Sequence, residues 1–260
     1  MGRLMKYDLR AAMRLFIPLW LGTLALALVN RFTVHLEFSE NRILNFFTGL
    51  VMVLYVLAAL SILVVTLIYI IQRFYQSMLK DEGYLTFTLP VGIDSLLWSK
   101  ALTALILVAV SDFVGILSLL ILVVWNVNLD EFQRFLRELG QYFDGISLTF
   151  LMVCLTAVVA TVCQVILIYL SMALGQLAQK HRLGASVGAY VLISIATSTV
   201  YSVVLAPVAM KLAESMEFPN MEPLTILNAA LAVLMLNALI LTAVYYFPAR
   251  YLFKRKLNLE

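Results

Sequence analysis

Charged side chains are scarce in this sequence. Only 13% of the 260 residues are Asp, Glu, Lys or Arg, whereas 63% are hydrophobic. Soluble domains carry about 25% charged residues, and the deficit here is concentrated in long uncharged runs, which excludes an ordinary soluble fold. Inside a bilayer the backbone must pair with itself, so such runs are helices or the strands of a closed barrel. Barrel strands alternate apolar and polar side chains. These runs are apolar on all sides, so we expect an all-α integral membrane protein.

Cysteine and histidine are rare as well. Cys154 and Cys163 are nine residues apart in one apolar run, which places them about 13 Å apart along a helix axis, too far for a disulfide bond. His35 and His181 stand at the ends of apolar runs and belong to no zinc or nucleophile motif. We therefore expect no metal site and no catalytic residue.

A phosphate-binding loop is missing too. The pattern G-x-x-x-x-G-K-[ST] occurs nowhere in the sequence. We therefore expect that the chain is not an enzyme and carries no cofactor of its own. If ATP drives its activity, hydrolysis takes place on a separate polypeptide.

Six apolar runs are long enough to cross a bilayer, which takes about 20 residues. Several are longer, so we expect them to tilt or to project into water. No internal repeat and no low-complexity linker divides the chain, and we expect a single transmembrane domain over residues 1–260. The expected spans cover residues 15–36, 43–71, 100–127, 146–178, 183–210 and 224–247.

The basic residues are distributed unevenly between the two sides that these spans define. Thirteen fall on one side and five on the other. Cytoplasmic loops carry the excess of Lys and Arg, so we expect both termini in the cytoplasm and the chain in the cell membrane. The five outer residues are Arg31, Arg42, Arg134, Arg137 and Lys211, and the thirteen inner ones are Arg3, Lys6, Arg10, Arg14, Arg73, Lys80, Lys100, Lys180, Arg182, Arg250, Lys254, Arg255 and Lys256.

The first 14 residues are basic and amphipathic. Leu4, Met5, Leu9, Ala12 and Met13 can share one helical face, and the four basic residues of this segment lie off it. The pattern is typical of a helix that lies in the membrane interface. The other interpretation is a positive flank that orients the first span.

The connection between the second and third spans, residues 72–100, is the most informative segment outside the bilayer. It begins as a continuation of the second helix. Gly83 can end that helix, and Pro90 breaks the extended piece that follows. Asp94 or Ser95 then caps the helix of the third span. The segment is either a docking element for a partner or a plain turn between two helices.

This connection resembles part of a known family. Residues 80–91, KDEGYLTFTLPV, and residues 96–100, LLWSK, are similar to the first cytoplasmic loop of bacterial type-2 ATP-binding-cassette (ABC) exporter permeases. Residues 250–259, RYLFKRKLNL, are similar to the way many such permeases end. Six spans, cytoplasmic termini and an amphipathic N-terminal helix agree with the family along essentially the whole chain.

The resemblance implies that ATP hydrolysis and transport belong to different subunits. The loop would hold a coupling helix that docks in a groove of a nucleotide-binding ATPase subunit, which binds the ATP and Mg. A second permease chain, identical or related, would pair with this one in the lipid of a bacterial cytoplasmic membrane, with no nucleic acid involved. The exported substrate would be an amphipathic or apolar peptide, lipid or drug. The residues implied in coupling are Leu79, Lys80, Asp81, Glu82, Gly83, Tyr84, Leu85, Leu89 and Pro90.

One carboxylate, Asp112, stands about midway along the third span. An ionised carboxylate at this depth costs about 2.5–3.5 kcal/mol, and its helical neighbours offer no polar side chain. Gln164 and Asn237 are the mid-membrane polar residues available to bond it. Asp112 either lines a pathway, inside the bundle or at a seam between subunits, or is a neutral packing residue. The alternative function is a proton-coupled secondary transporter that uses Asp112 and needs no ATPase.

The outer connection at residues 128–145 has a second amphipathic pattern. Its apolar residues recur at helical spacing opposite a charged face. The segment is either an outer gate or a passive helix on the outer leaflet. The residues of the expected gate are Phe132, Phe135, Leu136 and Leu139.

Overall fold

The computed structural model describes residues 2–34, 42–79, 92–123, 129–178, 181–205 and 223–255. In this part of the chain the regular structure is helical throughout, without a strand. The helices are α1 (Gly2–Val34), α2 (Arg42–Leu79), α3 (Ile93–Val123), α4 (Leu129–Gly175), α5 (Arg182–Val200) and α6 (Pro223–Arg255), and a π-helical turn, Tyr201–Leu205, continues α5.

Each helix contains a stretch that is long and apolar enough to cross a membrane. The mean hydropathy of these stretches lies between 1.6 and 2.9. The prediction of six spanning helices is therefore confirmed in length and composition, and so is the all-α class over the described residues. The stretches are Met5–Thr33, Asn45–Met78, Ile93–Leu122, Leu148–Gly175, Arg182–Val203 and Leu224–Lys254.

Helix α1 begins earlier than the first expected span. It runs without interruption from Gly2, so residues 2–14 continue directly into the spanning stretch. Pro18 lies inside α1, where it removes one backbone hydrogen bond. Membrane helices tolerate this loss when neighbouring groups satisfy the freed carbonyl. The position of residues 2–14 in the membrane interface stays a prediction.

Helix α4 is also longer than its expected span. Its 47 residues correspond to about 70 Å, more than twice the hydrocarbon thickness of about 30 Å. The segment 128–145 was predicted as an amphipathic helix of its own, and from residue 129 onwards it forms the first part of α4. Gly140 and Gly145 lie within this helix. Each costs only about 1 kcal/mol relative to Ala, which does not end a helix that both flanking segments favour.

The chain divides into two compact units. Unit 1 comprises Met1–Arg73 and Leu102–Gln141, so it contains α1, most of α2 and most of α3. Unit 2 comprises Phe74–Ala101 and Tyr142–Glu260, so it contains the end of α2, the start of α3, most of α4, and α5 and α6.

An aromatic core holds unit 1 together. Phe16 of α1 is fully buried beside Ala12 and Leu107. The ring of Tyr69 in α2 meets Phe16 edge-on, with the centroids 5.3 Å apart, and Trp20 lies 5.4 Å from Phe16. Such pairs contribute about 0.5–1.5 kcal/mol beyond the apolar area they bury. The core therefore joins α1, α2 and α3.

Hydroxyl groups link the same three helices. The indole Nε1 of Trp20 donates to Oγ of Ser111 at 3.2 Å, and Oγ1 of Thr66 lies 3.2 Å from the same oxygen. The hydroxyls of Tyr55 and Ser118 are 3.0 Å apart and buried. Lipid tails are as apolar as Leu, so helices in a membrane associate through close packing and hydrogen bonds of this kind.

Phe74 of α2 lies in the core of unit 2. Its ring stacks on Tyr169 of α4, with the centroids 3.7 Å apart and the planes inclined by 10°. Phe253 of α6 meets the Phe74 ring edge-on at 5.8 Å. All three side chains are buried, so this stack joins α2, α4 and α6 within unit 2.

The contact between α4 and α5 depends on a glycine. A Cβ on Gly175, the last residue of α4, would stand 2.6 Å from the backbone nitrogen of Ser186 and 2.7 Å from its Cα. Any larger residue would collide with main-chain atoms that have no room to shift. Glycine therefore sets the close approach of α5 to the end of α4.

Candidate functional site

The segment predicted to dock a partner is bounded by two helix ends. Helix α2 ends at Leu79 and helix α3 begins at Ile93. The structure describes how each of these ends is held within its own unit. The side chain of Leu79 lies outside the described residues, as do the predicted coupling residues Lys80, Asp81, Glu82, Gly83, Tyr84, Leu85, Leu89 and Pro90.

In unit 1, Arg73 near the end of α2 forms an ion pair with Asp8 of α1. Nε and Nη2 of Arg73 donate to the same oxygen, Oδ1 of Asp8, at 2.9 and 2.7 Å. The Asp8 side chain is only 4% exposed and that of Arg73 is 27% exposed. A carboxylate buried to this extent keeps its charge only beside a cation. The pair therefore fixes the start of α1 against α2.

In unit 2, Asp94 in the first turn of α3 is held by two side chains of α6. Nη2 of Arg250 donates to Oδ2 at 2.7 Å, and the hydroxyl of Tyr246 donates to Oδ1 at 2.5 Å. The Trp98 ring lies 5.9 Å from the Tyr246 ring. Both oxygens of the carboxylate are therefore engaged, and the first turn of α3 is tied to α6.

The sequence analysis predicted that Asp94 or Ser95 caps α3, but both residues lie inside the helix. The helix begins at Ile93, so Asp94 is its second residue, and the first backbone bond runs from the nitrogen of Leu96 to the oxygen of Gly92. An acidic residue is still favourable here because the helix dipole is positive at this end. Its carboxylate, however, faces α6 rather than the amides of its own helix.

The two ion pairs differ in burial and hence in strength. Asp94 and Arg250 are both 44% exposed, and an ion pair of that exposure contributes about 0–1 kcal/mol. Removal of one partner from a buried pair such as Asp8–Arg73 costs about 3–5 kcal/mol. Loss of the Asp94–Arg250 ion pair therefore costs little free energy, whereas loss of the Asp8–Arg73 ion pair costs several times more.

A cleft of about 320 Å³ lies beside Arg250 on α6. The described residues that line it are Phe247, Arg250, Tyr251 and Lys254. These four positions follow one another at spacings of three, one and three, so they share one helical face. The cleft thus combines two cationic groups with two aromatic rings at the end of a spanning helix.

Asp112 lies on the surface of the chain. It is exposed on α3 in unit 1, and no hydrogen bond joins its carboxylate to another described residue of that unit. Phe113, Ile116 and Leu120 are exposed on the same side of the helix. Asp112 is therefore a single carboxylate within an apolar surface. Within unit 1 the side chain is not enclosed by the neighbouring helices.

The two polar residues proposed as partners of Asp112 belong to unit 2. Gln164 is exposed on α4, and Asn237 is half-buried on α6. The pathway that these three residues were expected to line stays a prediction.

The expected outer gate is described only as backbone. Phe132, Phe135, Leu136 and Leu139 lie in the first part of α4, and their side chains are outside the described residues. Among the residues that the structure does describe, no group of three or more His, Cys, Asp or Glu side chains is placed to hold a metal ion.

No protein-family model matches this chain, and no curated protein and no solved structure matches it either.

The sequence analysis missed the two contacts that hold the ends of the loop. Asp8 and Asp94 belong to the predicted inner side, which carries thirteen basic residues, and an acidic residue among so many basic ones is a signal that it forms an ion pair. Their partners are 65 and 156 positions away along the chain. Nothing in the local pattern identifies Arg73 or Arg250 among the other basic residues.

Proposed function

We propose that this chain is the membrane-spanning permease subunit of an ABC transporter. A separate ATPase subunit binds ATP and Mg, docks on residues 79–90 and drives the helices that leave this loop. Both termini and the loop face the cytoplasm. The exported substrate is an amphipathic or apolar molecule such as a peptide, a lipid or a drug.

The observation that carries this proposal is the contact of Asp94 with Arg250 and Tyr246. Asp94 follows Pro90 by four positions, so a displacement of the loop acts directly on the first turn of α3. Because that turn is bonded to α6, the displacement acts on the last helix of the chain as well. A plain turn between two helices needs no such connection.

The other flank of the loop supports the same proposal. Arg73, six residues before the end of α2, is paired with Asp8 of α1. A displacement of α2 is therefore transmitted to α1 through this buried ion pair. These two contacts connect each helix that leaves the loop to another helix, α3 to α6 and α2 to α1, so a force at the loop reaches at least four helices.

A second permease chain fits the exposure of Asp112. A charged group facing lipid at mid-membrane costs about 2.5–3.5 kcal/mol or more, and the carboxylate is exposed on this chain. A neighbouring chain placed over this face of α3 removes the side chain from lipid and supplies a hydrogen-bond partner. We propose that the paired chains meet at Asp112 and that Gln164 and Asn237 contribute to the pathway.

The proposal is tested by purification of the tagged chain from its native membrane in mild detergent. We expect an ATP-binding subunit and ATPase activity to co-purify. The variants Glu82→Ala, Tyr84→Ala and Leu89→Ala should each lose the partner while the permease itself is still recovered. Glu138→Ala, a matched charge removal on the opposite side, should keep it. Recovery of the wild-type chain without any ATPase would contradict the proposal.

The second candidate function is a proton-coupled secondary transporter. The exposed carboxylate of Asp112 favours it, because a lone acid in a membrane helix can carry a proton. The purified chain alone, in proteoliposomes with a pH gradient, distinguishes the two functions. Uptake without ATPase that is abolished in Asp112→Asn would support the secondary transporter.

A further inference from the structure

We propose that the cleft on α6 binds the phosphate of an anionic phospholipid. The head group lies between Arg250 and Lys254, and one acyl chain follows the exposed apolar face of α6. This inference requires only that the chain is inserted in a membrane. It does not depend on an ATPase partner.

The charges of the cleft favour a phosphate. Arg250 uses Nη2 to bond Asp94, and a guanidinium has five N–H donors in a fixed fork, so its other nitrogens remain able to donate. Lys254 follows one turn later, exposed, and adds a second positive charge. Guanidinium and ammonium groups together are the usual ligands of phosphate oxygens. The described lining of the cleft contains no carboxylate.

The depth of the cleft favours a lipid over a soluble anion. The spanning stretch of α6 begins at Leu224, and a hydrocarbon core of about 30 Å is crossed by about 20 residues. Residues 247–254 are thus at or just beyond the hydrocarbon boundary. Tyr251 is exposed there, and Tyr is typical of the head-group level.

The surface that leads to the cleft supplies a place for an acyl chain. Leu236, Ile240, Val244 and Phe247 are all exposed, and their spacings of four, four and three put them on one face of α6. This apolar stripe runs directly into Arg250 and Lys254. An apolar stripe that ends in two cations is complementary to an amphiphile with a negative head group, whereas free phosphate would contact only the two cations.

Native mass spectrometry of the full-length chain tests this inference. The chain is reconstituted with equal amounts of phosphatidylglycerol and phosphatidylcholine of identical acyl chains, then released in detergent, and the retained lipids are counted. We expect phosphatidylglycerol to be preferred. Because each basic residue at a membrane surface adds about 1 kcal/mol, Lys254→Gln should reduce the preference about fivefold. Equal retention of both lipids by the wild-type chain would overturn the inference.

Two control variants separate the site from general charge. Lys6→Gln removes another exposed lysine, on α1, and should reduce the preference less than Lys254→Gln does. Lys254→Arg keeps the positive charge and should retain phosphatidylglycerol. A loss in Lys6→Gln as large as in Lys254→Gln would mean that the lipid responds to net charge only, and the site would be rejected.

Two further arms test the other possible occupants. Inorganic phosphate at millimolar concentration should not displace phosphatidylglycerol, and displacement would show a site for the free anion instead. In a background with Cys154 and Cys163 replaced by Ala, Phe247→Cys should not form a disulfide-linked dimer in the membrane. A dimer in high yield would assign this face to a second copy of the chain and would overturn the lipid site.

Discussion

Tyr246 donates a 2.5 Å hydrogen bond to Oδ1 of Asp94, and this bond joins the last spanning helix to the first turn of α3. Arg250, one turn further along α6, occupies the other oxygen of the same carboxylate. If the loop before Asp94 receives force from an ATPase, this pair of contacts decides whether α6 moves with α3. The contacts are exposed enough to be changed without loss of the fold.

We therefore predict that Asp94→Asn uncouples transport from ATP hydrolysis. The amide keeps the shape of the side chain and removes the charge that Arg250 pairs with. Unfolding in detergent should shift by no more than about 1 kcal/mol, since the pair is exposed, whereas substrate export by the assembled transporter should fall strongly.

A charge swap supplies the control for that prediction. Asp94→Arg and Arg250→Asp should each impair export, and the double variant should recover part of it because the ion pair is restored with its ends exchanged. If the double variant is as defective as the sum of the two single variants, Asp94 and Arg250 are not coupled.

The buried pair should behave differently. We predict that Asp8→Ala lowers the free energy of unfolding by about 3–5 kcal/mol, because it leaves the Arg73 guanidinium without its buried counter-charge. Thermal or denaturant unfolding of the purified chain measures this. Lys6→Ala, two residues away and exposed, should change it by less than about 0.5 kcal/mol. Similar values for both variants would contradict the role assigned to Asp8.

Gly175→Ala should destabilise the chain by about 1–3 kcal/mol, as expected for overpacking. The added methyl group would collide with the main chain of Ser186, so trimming the hydroxyl with Ser186→Ala should not rescue the variant. Gly188→Ala is the matched control, because a Cβ there meets nothing within 4 Å. A Gly175→Ala chain as stable as Gly188→Ala would show that α4 and α5 do not approach as closely as described.

Asp112→Leu should weaken the pairing of permease chains. In the proposed pair, the leucine removes the group to which the neighbouring chain would hydrogen-bond, whereas Asp112→Asn keeps a polar group of the same size and should retain most of the pairing. Single-molecule photobleaching in lipid nanodiscs reports the number of chains. Full export and full pairing in both variants would exclude Asp112 from the mechanism.

The sequence was sufficient to predict the number and approximate position of the spanning helices. Each apolar run is long enough to cross the bilayer as a helix, and the runs lack the alternation of apolar and polar side chains that the strands of a closed barrel need. The ends of the helices were predicted less well. Residues 2–14 and 129–145 join the neighbouring spans because neither segment contains a strong break. An amphipathic pattern indicates a helical face without showing where the helix ends.

The contacts that hold the candidate site could not be predicted from the sequence. Tyr246 and Asp94 are 152 positions apart. Helix α6 contains several other aromatic residues, and nothing in the sequence around Tyr246 distinguishes it from them. Asp94 was one of two residues expected to cap α3, because Asp is common at the N-cap. Its carboxylate instead bonds to Arg250 and Tyr246 of α6. The exposure of Asp112 could not be predicted either, because the apolar residues of α3 do not show which face of the helix its neighbours cover.

The most direct test is the accessibility of a single cysteine at position 84 in cells. Tyr84→Cys, in a chain with Cys154 and Cys163 replaced by Ala, is treated with a maleimide that does not cross membranes. We predict no labelling in intact cells, labelling after the membrane is opened, and protection when the ATPase subunit is present in excess. Labelling of Tyr84→Cys in intact cells would place the loop outside and contradict its coupling to an ATPase.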